Sequence, residues 1–100
     1  MARLIWTDPA LRSLDEIAEH IALDKPEAAR RYVARVLAAV ERLKDFPKSG
    51  AVPPEIPDLP YRQVVVPPCR ILYRFDGETV WIVHVFRGER LLRTEDVGDE

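Results

Sequence analysis

The stretch "YRQVVVPPCRILYRFDGETVWIVHVF", residues 61–86, decides the fold. Three runs rich in Val, Ile, Tyr, Phe and Trp are separated by Pro67-Pro68 and by Asp76-Gly77-Glu78, which reads as an antiparallel meander with turn chemistry at each corner. If Asp76-Gly77 is a two-residue turn, Ile71, Tyr73 and Phe75 share a face with Val80, Ile82, His84 and Phe86, and that face is the core. Arg70, Leu72 and Arg74 then lie with Trp81, Val83, Val85 and Arg87 on the opposite face, a basic surface with an aromatic in it. A three-residue loop reverses the pairing.

Upstream of the meander the punctuation changes period. "RLIW" at 3–6 is β-compatible and stops at "TDP", where Asp8 suits an N-cap and Pro9 the first helical turn. Leu11, Leu14, Ile17, Ala18 and Ile21 recur at three and four, predicting a helix over 9–23. Pro26 opens a second helix running to about Lys44, with Ala29, Val33, Val36, Leu37, Val40 and Leu43 as its stripe. From Pro47 to Pro60 five prolines and a glycine deny the chain both helix and central strand. Ile56 and Leu59 are placed to pin this loop over the domain. The expected fold is α+β in the order β-α-α-β-β-β, a helical hairpin on one face of a curved, mainly antiparallel sheet, with the other face open.

One hundred residues, 47% of them apolar, suit one core and one domain spanning 1–100, with 94–100 as a flexible tail. A single cysteine, Cys69, excludes an internal disulfide and a thiolate zinc cluster from this chain. With no long apolar run, a cytoplasmic protein without membrane contact is expected. Net charge is −2, so bulk charge does not draw the chain to nucleic acid. The charge is regional: residues 60–93 hold six arginines against three acids, whereas the tail "TEDVGDE" holds four acids and no base.

Guanidiniums above apolar side chains can bind phosphates, can receive an acidic, apolar-studded peptide, or can simply solubilise a strand face. Arg62, Arg70, Arg74, Trp81, Arg87 and Arg90 are the candidate partner-binding residues. His20 has Asp24 and Glu16 at helical spacing but no second imidazole, so neither a metal nor a cofactor is expected. Cys69 reads as a small strand residue, and Arg30, Arg31, Arg35 and Arg42 as a solvated helix face.

Taken in order, Phe46-Pro47 with Gly50 after the second helix, Tyr61-Arg62, Arg70-Ile71-Leu72-Tyr73-Arg74 and an apolar fourth strand resemble the RelE/ParE superfamily of toxins from type II toxin–antitoxin systems. The resemblance covers Leu4 to about Arg90 and implies the β-α-α-β-β-β fold and a cognate antitoxin that wraps the toxin. The superfamily divides into ribosome-dependent mRNA endonucleases, like RelE, and inhibitors of DNA gyrase without a recognised catalytic set, like ParE. Arg62 and Arg70 match basic positions of the nuclease branch; Val64, Gly88 and Thr94 stand where that branch carries a lysine, an arginine and a late tyrosine. ParE-like chains carry a histidine opening "HxxR", where this sequence has Arg87 and Arg90. The ParE branch is favoured, since an endonuclease needs a proton-transfer group beside its cations. It implies a non-enzymatic gyrase inhibitor, a ParD-like antitoxin, a heterotetramer or larger, and DNA contact only through the antitoxin. The nuclease alternative would draw on Arg62, Arg70, Arg74, His84 and Arg87.

Overall fold

The computed structural model describes residues 1–89, 92 and 93. The chain forms β1 (Arg3–Trp6), α1 (Asp8–Ala22), α2 (Pro26–Glu41), a 3-10 turn (Arg42–Lys44), β2 (Arg62–Val66), β3 (Cys69–Phe75) and β4 (Thr79–Arg87). The sheet order is β1-β4-β3-β2, with β1 parallel to β4 and the other two pairs antiparallel. Two helices on a four-stranded mixed sheet make this an α+β fold, in the expected element order.

The helix boundaries follow from local chemistry. α1 is capped one residue earlier than the sequence suggests: Thr7 is extended, its hydroxyl accepts from Ala10 N–H at 3.4 Å and donates to the Ile82 carbonyl at 2.7 Å, while Asp8 is already helical. That second bond ties the start of α1 to β4. α2 stops at Glu41, and its predicted last turn is 3-10 rather than α.

The helices cover one face of the sheet. Ala10, Leu14, Tyr32, Val36, Val40 and Leu43 meet Cys69, Ile71, Tyr73, Val80, Ile82 and Val85 in the main core. Leu11 and Leu37, placed in the stripes by spacing, are 45% and 46% exposed. A stripe of period 3.6 is broader than the strip a sheet can cover. Tyr32, which the stripe omits, is buried and donates its hydroxyl proton to the Val66 carbonyl at 2.7 Å.

The pairing within the meander departs from the expected one in two ways. Phe75 pairs with Val80, so the corner residues are Gly77, at φ 101°, and Glu78. Asp76 stabilises this corner by accepting the N–H groups of Glu78 and Thr79 at 2.9 and 2.8 Å. Parity is unchanged as far as Tyr73↔Ile82, but a bulge follows, and beyond it Leu72 pairs with His84 and Ile71 with Val85. His84 and Phe86, expected in the core, therefore leave it, and Val85 joins the core instead.

The face away from the helices is not open. Ile56, Tyr61 and Leu92 close over Leu72, Val83 and Phe86 in a second small core, with Leu59 and Trp81 at its margin. The proline-rich loop is thus laid across the sheet. It is anchored by Tyr73, whose hydroxyl accepts from Gly50 N–H at 2.9 Å and donates to the Pro47 carbonyl at 2.8 Å. A Cβ at Gly50 would stand 2.6 Å from the Tyr73 hydroxyl and 2.8 Å from the Gln63 carbonyl, so this position requires glycine.

Candidate functional site

The arginines of the meander do not form one exposed patch. Arg70 is 7% exposed, and its guanidinium lies over Phe86 with Cζ 4.6 Å from the ring centroid. Nη1 and Nη2 donate to the two carboxylate oxygens of Glu55 at 3.0 and 2.5 Å, and Nη1 also donates to Gln63 Oε1 at 3.0 Å. The Arg70 guanidinium holds the Glu55 carboxyl at about 2, well below its usual range. This forked pair is a fastening between the loop and β3.

The other candidates are dispersed. Arg62 donates to the Gly50 carbonyl at 2.9 Å, bracing the loop from the helix side of the sheet. Arg74 lies over the Trp81 ring at 5.2 Å, and Trp81 Nε1 donates to Asp76 Oδ2 at 3.0 Å, so these three form a corner at the hairpin end. The Trp81 indole and the two turn N–H groups hold the Asp76 carboxyl at about 2. Arg87 is exposed and donates to Glu89 at 2.7 Å. Arg90 and the acidic tail at 94–100 lie outside the described residues. The expected basic surface is therefore corrected: Arg70 is covered by the loop, and Arg87 moves to the opposite face because the bulge shifts its pairing to Cys69.

His84 is half-buried at the part of β4 that extends beyond β1, with Nδ1 3.3 Å from Ser13 Oγ on α1. Ser13 Oγ donates to the Pro9 carbonyl at 2.8 Å, so it is an acceptor toward the imidazole. The ring stacks on Phe86 at 5.4 Å. Ser13, Glu16, His84, Arg87 and Glu89 line a cavity of about 370 Å³ here. The bulge gathers an imidazole, a guanidinium and two carboxylates around this cavity. Cys69 is buried, and among the described residues no group of three or more ligating side chains could hold a metal. No helix among them is long and apolar enough to cross a membrane.

Two features escaped sequence reasoning. Glu55 and Gln63 complete the Arg70 site, yet no periodicity relates a loop acid to an arginine fifteen residues away. Ala18, Ala22, Ala29, Val33 and Leu37 line an apolar groove of about 600 Å³ between α1 and α2, rimmed by Glu19 and Arg30. The excess of alanine on both helices was its signal, since small side chains on facing helices leave a furrow.

Residues 4–92 match the family model described as the ParE toxin of the type II toxin–antitoxin system parDE. The chain belongs to this family. It is similar to the toxin RelE2 of Caulobacter vibrioides, 34% identical over 92 residues covering 91% of this chain and all of that protein. It also matches the putative toxin Y4kP of Sinorhizobium fredii at 52% identity over 48 residues, 48% of this chain and half of that protein's length. Among solved structures it resembles a chain of the chromosomal ParDE toxin–antitoxin system of P. aeruginosa, with a TM-score of 0.75 and 27% identity over 89% of this chain and 98% of that one. The ParE-family toxin described here thus shares its two-helix, four-stranded architecture with a component of a solved ParDE system.

Proposed function

We propose that this ParE-family toxin inhibits DNA gyrase without catalysing a reaction of its own, and that a ParD-like antitoxin neutralises it in the cytoplasm in a heterotetramer or larger complex. The observation that carries the reading is the engagement of Arg70. A ribonuclease needs accessible cations beside an acid–base group to stabilise phosphoryl charge. Here Arg70 is buried and paired with Glu55, and Val64 and Gly88 replace two other nuclease side chains. The apolar groove between α1 and α2, with Arg30 on its rim, offers an amphipathic antitoxin segment a seat by the usual helix-in-groove chemistry. DNA contact comes through the antitoxin.

Purified toxin added in excess to gyrase and relaxed plasmid is expected to block supercoiling, and undisturbed supercoiling would exclude the gyrase reading. A second reading rests on His84, whose imidazole stands at a cavity with Arg87 rather than in the core. If the chain is an mRNA endonuclease, transcripts in a translating extract are cleaved and His84→Ala abolishes the cleavage. Intact transcripts with the wild-type chain eliminate that alternative.

A further inference from the structure

Arg70 and Arg62 both fasten the proline-rich loop, but on different acceptors. Arg70 has the Glu55 carboxylate, whereas Arg62 donates to the neutral Gly50 carbonyl at 2.9 Å. Arg62 is half-buried, and among the described residues no carboxylate stands within ion-pair distance of it or of the exposed Lys48. The strand register brings these two cations to one cavity. Arg62 pairs with Tyr73, so β3 runs on past the start of β2 and leaves Phe75 without a β2 partner. Beside Phe75, the side chains of Val52, Pro57 and Leu59 form the apolar wall of a cavity of about 250 Å³ that Lys48 and Arg62 border. Among the described residues no acid lines it: Asp58 is exposed and lies outside the lining, although both its sequence neighbours belong to it. Val52 is 48% exposed, so the wall is open to an incoming side chain.

We propose that this cavity is a docking site for an acidic segment of a partner protein, which places one large apolar side chain against Val52, Leu59 and Phe75 and sets its carboxylates on Lys48 and Arg62. The physical reason is the missing acid. A guanidinium drawn halfway out of water is stabilised by a carboxylate in fork geometry, which Glu55 provides for Arg70 and nothing in the lining provides for Arg62. A segment that brings its own carboxylates completes that pairing, and its apolar residue removes the exposed Val52 from water. The size of the cavity favours a side chain over a free metabolite, since small-molecule sites enclose roughly 300–1,000 Å³. Its wall favours peptide over nucleic acid, because a phosphate backbone gains from the cations but nothing from Val52, Pro57 and Leu59. The site lies apart from the groove between α1 and α2, with which it shares no lining residue. The inference therefore stands independently of the gyrase and antitoxin readings.

The test is a subtractive selection from a phage library of random peptides on the full chain. Clones that bind the double variant Lys48→Glu/Val52→Asp are removed, and the remainder is selected on the wild-type chain, which leaves ligands of this site and discards those of the helical groove. Both positions are exposed and neither fastens the loop, so the variant should keep the wild-type NMR spectrum elsewhere; should it fail to fold, Lys48→Glu alone serves for the subtraction. The surviving clones are expected to carry two or more acidic residues around one large apolar residue. A synthetic peptide of the strongest clone should shift the amide signals of Lys48, Val52, Leu59 and Phe75, and should bind about tenfold or more weakly to Arg62→Gln, which keeps a donor for Gly50 but loses the charge. No survivors, survivors without acids, or a peptide indifferent to Arg62→Gln would overturn the docking site. Tighter binding of a uridine oligonucleotide than of the peptide, lost in Lys48→Glu, would assign the cations to phosphate and overturn it as well.

Discussion

The two faces of the sheet are held by different physics. On the helix side, thirteen buried residues from both helices, the 3-10 turn and three strands share the load. On the loop side, six buried residues form a satellite cluster, and the polar bonds of Glu55 with Arg70 and the Leu92 N–H do much of the fastening. The contrast predicts a protein with a cooperative helical half and a covering that can open by itself. If the toxin meets its partners as proposed, the loop-covered face is where a small perturbation changes what is displayed.

The largest effect should come from the helix side. Ile82→Ala removes a side chain with no exposure from between α1 and the sheet, and is expected to cost about 2–5 kcal/mol of global stability, read as a lowered midpoint in urea with unchanged slope. A loss under about 1 kcal/mol would erase the distinction between the faces. Acid sharpens the comparison from the other side. Glu55 has a folded pKa of about 2 against an ordinary value of 4.5, so its contribution is present above pH 4.5 and is lost as pH falls from there toward 2. Its full size is about 3 kcal/mol. Asp76, also held at about 2, acts in the same direction and the same window. Glu55→Gln should flatten the acid limb, and adding Asp76→Asn should flatten it further, leaving the part due to Glu89, whose carboxyl Arg87 also holds below its usual range. An unchanged limb in Glu55→Gln would mean that the pair with Arg70 contributes nothing to folding.

Tyr32→Phe probes the seam between the layers. The hydroxyl is buried, its pKa is raised chiefly by desolvation, and its loss leaves the Val66 carbonyl without that donor. A cost of about 1–3 kcal/mol is expected in thermal or chemical unfolding. This is smaller than the Ile82 cavity because only a hydrogen bond is removed.

These contrasts mark what the sequence could and could not reveal. Pro9, Pro26 and the proline-rich loop punctuate the chain so strongly that element order and helix starts were legible to within a residue or two. The alternation of β3 was legible as well, since Ile71 and Tyr73 do face the helices. The bulge was not, because Val83 and Val85 are chemically alike and either can face the core, so the slip at His84 leaves no mark in the pattern. The Glu55–Arg70 pair was hidden for a different reason: loops have no periodicity, and a lone acid among prolines gives no sign of the strand residue it will meet. Arg70 was therefore read as a free cation when its role is to fasten the loop.

The smallest stability effect is expected where the arginine question stays sharpest. Arg74 stacks over Trp81 at the hairpin end, so Arg74→Ala forfeits a partly exposed cation–π contact and should lower stability by no more than about 1 kcal/mol. Its indole neighbour supplies the local control, because loss of the guanidinium should alter Trp81 emission while amide exchange at Leu92 and Ile56 stays at the wild-type rate. If this corner meets the target, inhibition of supercoiling should weaken about tenfold or more in Arg74→Ala, with the fold and the loop covering intact. Full potency would assign Arg74 to shielding the indole, and the search for the target surface would move to the groove between the helices. That outcome would place both protein partners on the cooperative half and reduce the loop-covered face to a structural lid.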